Sequence, residues 1–178
     1  MNNFIQFLTY FRIIAGPIIF ILIVISKFYG VAFILFMLAS ISDYWDGYLA
    51  RKYQLVSMMG EVLDPIADKI LITFVMIALA ISFESAFIAF IGSIILAREF
   101  WVAALRDFNA RTGNISATKV SFMAKLKTAS QLGTLGLYLF GLYLKSALII
   151  FIADFSLLAA MLITIQTGLS YSIASFQR

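Results

Sequence analysis

The sequence predicts an all-α integral membrane protein with six transmembrane helices, and three observations carry that prediction. First, 63% of the 178 residues are hydrophobic and only 12% are charged, about half the charged share of a soluble domain. Such a chain cannot surround a core with polar surface, so it belongs in a bilayer. Second, its apolar residues fall into six stretches near the roughly 20 residues that cross a hydrocarbon core as a helix. Third, charged residues gather mostly in the connections, apart from one dense acidic region. The length suits a single membrane domain over residues 1–178.

The first stretch, Phe7–Ser26, carries Arg12 near its start. The second, Val31–Ala50, is apolar as far as Ser42 and then holds two Asp residues. The third begins between Gly60 and Pro65 and ends at Ser82. The fourth runs from Ala86 to about Leu105 with Arg98 and Glu99 inside it. The fifth covers about Lys125–Leu144 and the sixth about Ala147–Leu169. Short links holding Lys27, Glu84 and Lys145 close three hairpins. The other two connections hold seven of the thirteen basic residues: Arg51 and Lys52 in one, Arg106, Arg111, Lys119, Lys125 and Lys127 in the other. An excess of Lys and Arg marks the cytoplasmic side, so the acidic region and both termini are expected to face the cytoplasm. The opening MNNFIQFLTYFR lacks the basic n-region and cleavage site of a removable signal, and the first stretch is expected to be retained as a span. The absence of a transit-type segment points to a bacterial cell (inner) membrane. The run KVSFMAKLK, residues 119–127, reads equally as an interfacial amphipathic helix or a solvated loop.

Two absences narrow the chemistry. There is no cysteine and no histidine, so thiolate nucleophiles and the usual imidazole base are excluded. Acid–base work falls to Asp, Glu, Lys, Tyr or water, and any metal must be held mainly by oxygen, which favours Mg²⁺, Mn²⁺ or Ca²⁺. The net charge of +4 fits membrane topology and anionic lipid rather than nucleic acid; no nucleic-acid motif or basic run is present.

Five of the nine acidic residues lie between Ser42 and Lys69: Asp43, Asp46, Glu61, Asp64 and Asp68. A carboxylate inside a span is unfavourable by about 2.5–3.5 kcal/mol on insertion scales, so these need water, a cation or hydrogen-bond donors. Asp43 and Asp46 are three residues apart and share a helix face; Asp64 and Asp68, four apart, share another. The intervening segment is short, so the two helices are expected to be antiparallel neighbours with their acidic faces meeting. Four close carboxylates repel one another unless cations intervene, and one or two divalent ions would relieve that. Gly47, Ala50 and Gly60 leave room for close approach, and Arg51 is placed to pair with a phosphate or an Asp. Asp64-Pro65 also reads as a helix start, with Asp64 as N-cap and Pro65 as the first helical residue.

The full pattern is Asp43-x2-Asp46-Gly47-x2-Ala50-Arg51-x8-Gly60-x3-Asp64-x3-Asp68. It resembles the signature of the CDP-alcohol phosphotransferase family at every fixed position. The resemblance implies a six-helix membrane enzyme, commonly a homodimer, with two divalent cations (Mg²⁺ or Mn²⁺), that displaces CMP from a CDP-linked donor with a second alcohol. It further implies that Asp43, Asp46, Asp64 and Asp68 are metal ligands, that Asp68 is the general base, and that Gly47, Ala50, Arg51 and Gly60 line the CDP site.

The segments AREFWVAALRDFNARTG and SATKVSFMAKLKTASQ resemble a bacterial branch of that family, in which the donor is CDP-diacylglycerol and the acceptor glycerol 3-phosphate. A phosphorylated acceptor needs fixed cations, for which Arg98, Arg106, Lys119, Lys125 and Lys127 are candidates. Arg98 lies inside a span and needs a ligand or a partner such as Glu99; Lys125 and Lys127 read equally as lipid-headgroup anchors. That branch commonly has Pro-Asn ahead of a Thr-x-x-Arg in its first helix, whereas here Ile5-Gln6 precede Thr9 and Arg12. Two other readings stay open: the same family with another acceptor (phosphatidylglycerol, serine or an inositol phosphate), and a cation channel or transporter whose Asp residues form the ion site. Gly133, Gly136 and Gly141 are expected to allow close helix packing, and Trp45 and Trp101 to sit at span ends. Asp154, set among apolar residues, is expected near a span end or paired with Lys145.

Overall fold

Six helices follow one another in the order the hydropathy predicts. In the computed structural model, which describes residues 2–52, 58–112 and 122–176, they are α1 Asn2–Val24, α2 Tyr29–Lys52, α3 Met58–Ser82, α4 Ala86–Arg111, α5 Phe122–Leu144 and α6 Ala147–Phe176. No strand occurs among the described residues. Gln6–Val24, Leu63–Ser82, Ala86–Arg111 and Ala147–Phe176 are long and apolar enough to cross a bilayer, and Tyr29–Asp43 is a shorter apolar helix. The outside of the bundle is correspondingly apolar, with Phe7, Ile25, Phe28, Phe90, Leu148 and Phe155 exposed. The chain is an all-α, multi-pass membrane protein.

The helices pack in a closed circuit, α1–α2–α5–α6–α4–α3 and back to α1, with α3 also touching α5 across the middle. Small residues set the close approaches. On α1, Thr9, Arg12 and Gly16 lie at i, i+3 and i+7 and so share one face. A Cβ on Gly16 would lie 3.4 Å from the Leu71 backbone, so α1 runs tight against α3 just beyond Arg12. The opposite face of α1, with Ile14, Ile18 and Ile21, is exposed. The core between the helices is aliphatic, built from Ile19, Ile23, Phe36, Leu71, Val75, Leu79, Ile95, Leu135 and Leu157 among others.

The three tight hairpins close alike. Lys27, Glu84 and Lys145 have positive φ (54°, 48° and 51°), the left-handed conformation that ends many helices. After α3 and α5 the next N–H bonds back five residues, Ser85 to the carbonyl of Ala80 and Ser146 to that of Gly141. Ser85 then caps α4, its Oγ accepting from the Ile88 N–H at 3.3 Å.

Several expectations change in the folded chain. The helix carrying Asp64 begins at Met58 with Pro65 inside it, so Asp64 is not an N-cap. Pro65 forfeits only the bond to the carbonyl of Glu61 near the helix end, which the apolar packing of the rest of α3 outweighs. Among the described residues α2 and α3 barely touch; α1 lies between them, so the acidic faces meet across α1. From Phe122 onward the 119–127 run is the start of α5, and residues 119–121 lie outside the described residues. Gly141 packs closely, with a Cβ meeting Ile150 at 3.0 Å. Gly136 makes ordinary contact with Phe36, but Gly133 has open space where its side chain would be.

Asp154 finds its partner across the last hairpin: the buried Tyr138 hydroxyl donates to its Oδ1 at 2.5 Å. Tyr138→Phe is therefore expected to destabilise the fold by about 1–2 kcal/mol, because it leaves a carboxylate without its donor. A thermal melt in detergent reads this, and Tyr138→Phe combined with Asp154→Leu should recover most of the loss.

Candidate active site

The site lies at the bundle end opposite the three short hairpins. It is formed by the first half of α1, the last half of α2 and the first half of α3. Arg12 is its centre. The guanidinium donates from Nη1 to Asp43 Oδ1 at 2.6 Å and to Asp68 Oδ1, and Nη2 lies 3.4 Å from Asp64 Oδ1. Thr9, one turn earlier, donates from Oγ1 to Asp64 Oδ1 at 2.7 Å. Arg12 is fully buried, whereas the side chains of Asp43, Asp64 and Asp68 are 35%, 37% and 25% exposed. The acids thus form a rim open to the outside over a cationic floor.

Of the sequence-predicted ligands, Asp43, Asp64 and Asp68 come together. Asp46, Gly47, Ala50 and Arg51 lie on α2 and Gly60 on α3, and their side-chain positions fall outside the described residues. A donor set of carboxylate oxygens gathered from two helices around one positive group suits hard divalent cations. The residues are of the kind that holds such ions, although among the described residues no three acidic side chains are arranged around a metal position.

A second charged cluster stands beside the first, between α4, α5 and α6. Glu99 Oε1 accepts from Lys127 Nζ at 2.5 Å and from Arg98 Nη1 at 3.1 Å. Arg98 Nη2 also donates to Thr167 Oγ1 at 2.8 Å. Gly168 makes room for this arginine, since a Cβ there would come within 2.8 Å of its Nε. Arg106 lies over the Tyr171 ring at 5.8 Å. The seam of α4 against α6 is polar beyond this, with Trp101 Nε1 donating to Ser172 and Asn109 Nδ2 to Ser175.

The acceptor-phosphate candidates Arg98, Arg106 and Lys127 lie within electrostatic reach of one another, but Arg98 and Lys127 reach inward to Glu99. Lys127, read equally as a lipid anchor, is buried. Lys119 lies outside the described residues, as does the side chain of Lys125. Glu99 is the partner that the sequence offered for Arg98. Two residues that the geometry brings in were not among the candidate site residues: Arg12, read only as part of the Thr-x-x-Arg of the first helix, and Lys69. Lys69 follows Asp68 on α3 and lies within the electrostatic reach of Glu99, Arg106, Arg98 and Asp68, so it joins the two clusters.

Carboxylates gathered at one end of an all-helical membrane bundle, with a basic cluster alongside, suit the class of membrane enzymes that act on phosphate-bearing substrates. The comparison with known proteins makes this specific: residues 3–169 match the family described as CDP-alcohol phosphatidyltransferase, and the chain belongs to that family. It is 40% identical over 176 residues to a Rickettsia typhi protein named CDP-diacylglycerol–glycerol-3-phosphate 3-phosphatidyltransferase, covering 96% of each chain. A Rickettsia bellii protein of the same name is 40% identical over 175 residues, covering 96% of this chain and 93% of the relative. One from Wigglesworthia glossinidia brevipalpis is 34% identical over 168 residues, covering 92% and 90%.

Proposed function

We propose that this chain, acting as one membrane domain, transfers the phosphatidyl group of CDP-diacylglycerol to glycerol 3-phosphate, giving phosphatidylglycerophosphate and CMP. The observation that carries the reading is the pairing of two sites: an exposed carboxylate rim at Asp43, Asp64 and Asp68, and an adjoining basic cluster of Lys69, Arg98, Arg106 and Lys127. One suits a pyrophosphate bridged through cations, the other an acceptor that carries its own phosphate. The names of the relatives support this choice of donor and acceptor.

Asp43, Asp46, Asp64 and Asp68 would hold two divalent cations, Mg²⁺ or Mn²⁺. These supply Lewis-acid stabilisation of charge on the pyrophosphate when bound. Asp68 takes the proton from the acceptor hydroxyl. The acceptor oxygen forms a bond to the phosphorus that carries diacylglycerol, and the bond from that phosphorus to the CMP oxygen breaks, with CMP leaving as the anion. Gly47, Ala50, Arg51 and Gly60 line the CDP site. Arg98, Arg106, Lys119, Lys125, Lys127 and Lys69 hold the acceptor phosphate so that its hydroxyl is aligned for attack. The apolar exterior keeps the acyl chains in the bilayer while the head group enters the polar end. The site faces the cytoplasm from the bacterial cell membrane, and two copies associate as a homodimer.

The test is CMP release from CDP-diacylglycerol in detergent, with glycerol 3-phosphate, phosphatidylglycerol, serine and inositol 1-phosphate offered in turn. Release is expected with glycerol 3-phosphate alone, to be lost in EDTA and restored by Mn²⁺ or Mg²⁺. Release with a different acceptor moves the assignment within the family. Release that persists in EDTA removes the metal from the mechanism.

A further inference from the structure

Arg12 is enclosed by protein, yet its guanidinium reaches acids on two other helices. The described contacts to Asp43, Asp64 and Asp68 use Oδ1 of each carboxylate, and the acids are partly exposed while Arg12 is not. The arginine thus lies beneath the cluster, on the opposite side from any ion arriving from water. Gly16, one turn further along the same face, lets α1 lie tight against α3, and the arginine is enclosed at that contact. Three carboxylates drawn this close repel one another strongly in a low dielectric. Arg12 offsets that repulsion, and the same positive charge opposes the approach of a second cation.

We propose that Arg12 is a positioning residue that acts as a built-in counter-ion. It holds Asp43, Asp64 and Asp68 together when no metal is bound, and in doing so it lowers the affinity of the cluster for divalent cations. This rests on reading the cluster as a divalent-cation site. The two effects are linked: a group that stabilises the metal-free fold more than the metal-bound fold must weaken metal binding by the same free energy. Removing Arg12 should therefore make the fold depend on metal.

The experiment measures melting of the full chain in detergent for the wild type, Arg12→Gln and Arg12→Lys, in EDTA and across a Mn²⁺ titration. Bound Mn²⁺ is counted in parallel by electron paramagnetic resonance of the free ion. In EDTA, Arg12→Gln should melt below the wild type. Its Mn²⁺-induced rise should be larger and half complete at a Mn²⁺ concentration about tenfold lower, as expected when a positive charge near a divalent site is removed. Arg12→Lys, which keeps the charge but cannot reach three acids at once, should fall between. A purely structural arginine would lower melting equally with and without Mn²⁺. An equal or smaller rise in both variants, with unchanged or weaker Mn²⁺ binding, would overturn the counter-ion role and leave the metal site standing. No Mn²⁺ binding to any of the three proteins would overturn both. Should Arg12→Gln fail to fold, the comparison of Arg12→Lys with the wild type decides by the same criterion.

Discussion

Asp68→Asn is expected to reduce CMP release by about 10³-fold or more while leaving the protein folded. The substitution keeps the size of the side chain and an oxygen that can accept from Arg12, but it cannot take up a proton. Loss of a positioned general base alone is typically worth about 10²–10⁴-fold, and the same carboxylate is proposed to contact the cations. Arg12 retains Asp43 and Asp64 in the variant, so α1, α2 and α3 stay tied together and the melting curve should move little. Because the interaction lost is made in the transition state, kcat should fall while the KM for glycerol 3-phosphate holds. Activity within tenfold of the wild type, in protein that melts normally, would take the base role away from Asp68.

Much of this site was legible in the sequence because helical spacing is local. Asp64 and Asp68 had to share a face once α3 was a helix, and an acid pair inside a span demanded a cation. The fixed spacing from Asp43 to Asp68 carried the family, which the match over residues 3–169 bears out. Arg12 was not legible as the site's centre, because its role depends on α1 lying between α2 and α3. The short connection between those two helices suggested that they touch. The available signal was the shared face of Thr9, Arg12 and Gly16: two polar groups and a glycine, turned away from exposed Ile14, Ile18 and Ile21.

Lys127 shows a different limit. In a run that alternates basic and apolar residues, nothing local says which lysine turns inward, and only the packing of α4 and α5 against α6 and α3 brings it to Glu99. The tie between Tyr138 and Asp154 spans 16 residues across a hairpin, beyond any helical period. The hairpins themselves were legible from their short charged links, but their left-handed turns were not, because Lys27, Glu84 and Lys145 adopt the conformation that glycine would have announced.

Lys69→Met is expected to raise the KM for glycerol 3-phosphate about tenfold or more with kcat nearly unchanged, and it separates phosphate binding from folding better than a change at Arg98 or Lys127. Arg98 and Lys127 both bond to Glu99 inside the bundle. Removing either leaves a buried carboxylate short of a partner, which destabilises by several kcal/mol and confounds a kinetic reading. Lys69 makes no ion pair among the described residues, yet it lies within electrostatic reach of both Asp68 and the charges around Glu99. A lysine so placed within a span needs a reason to keep its charge there, and the acceptor phosphate provides one. Methionine preserves the length and apolar stem of the side chain, so melting should match the wild type. Binding that is equally strong in the ground and transition states appears in KM alone, which distinguishes this variant from Asp68→Asn. If kcat falls and KM holds, Lys69 acts on the reacting centre through Asp68 rather than on the acceptor, and the phosphate site must be drawn from Arg98, Arg106 and Lys127 without it.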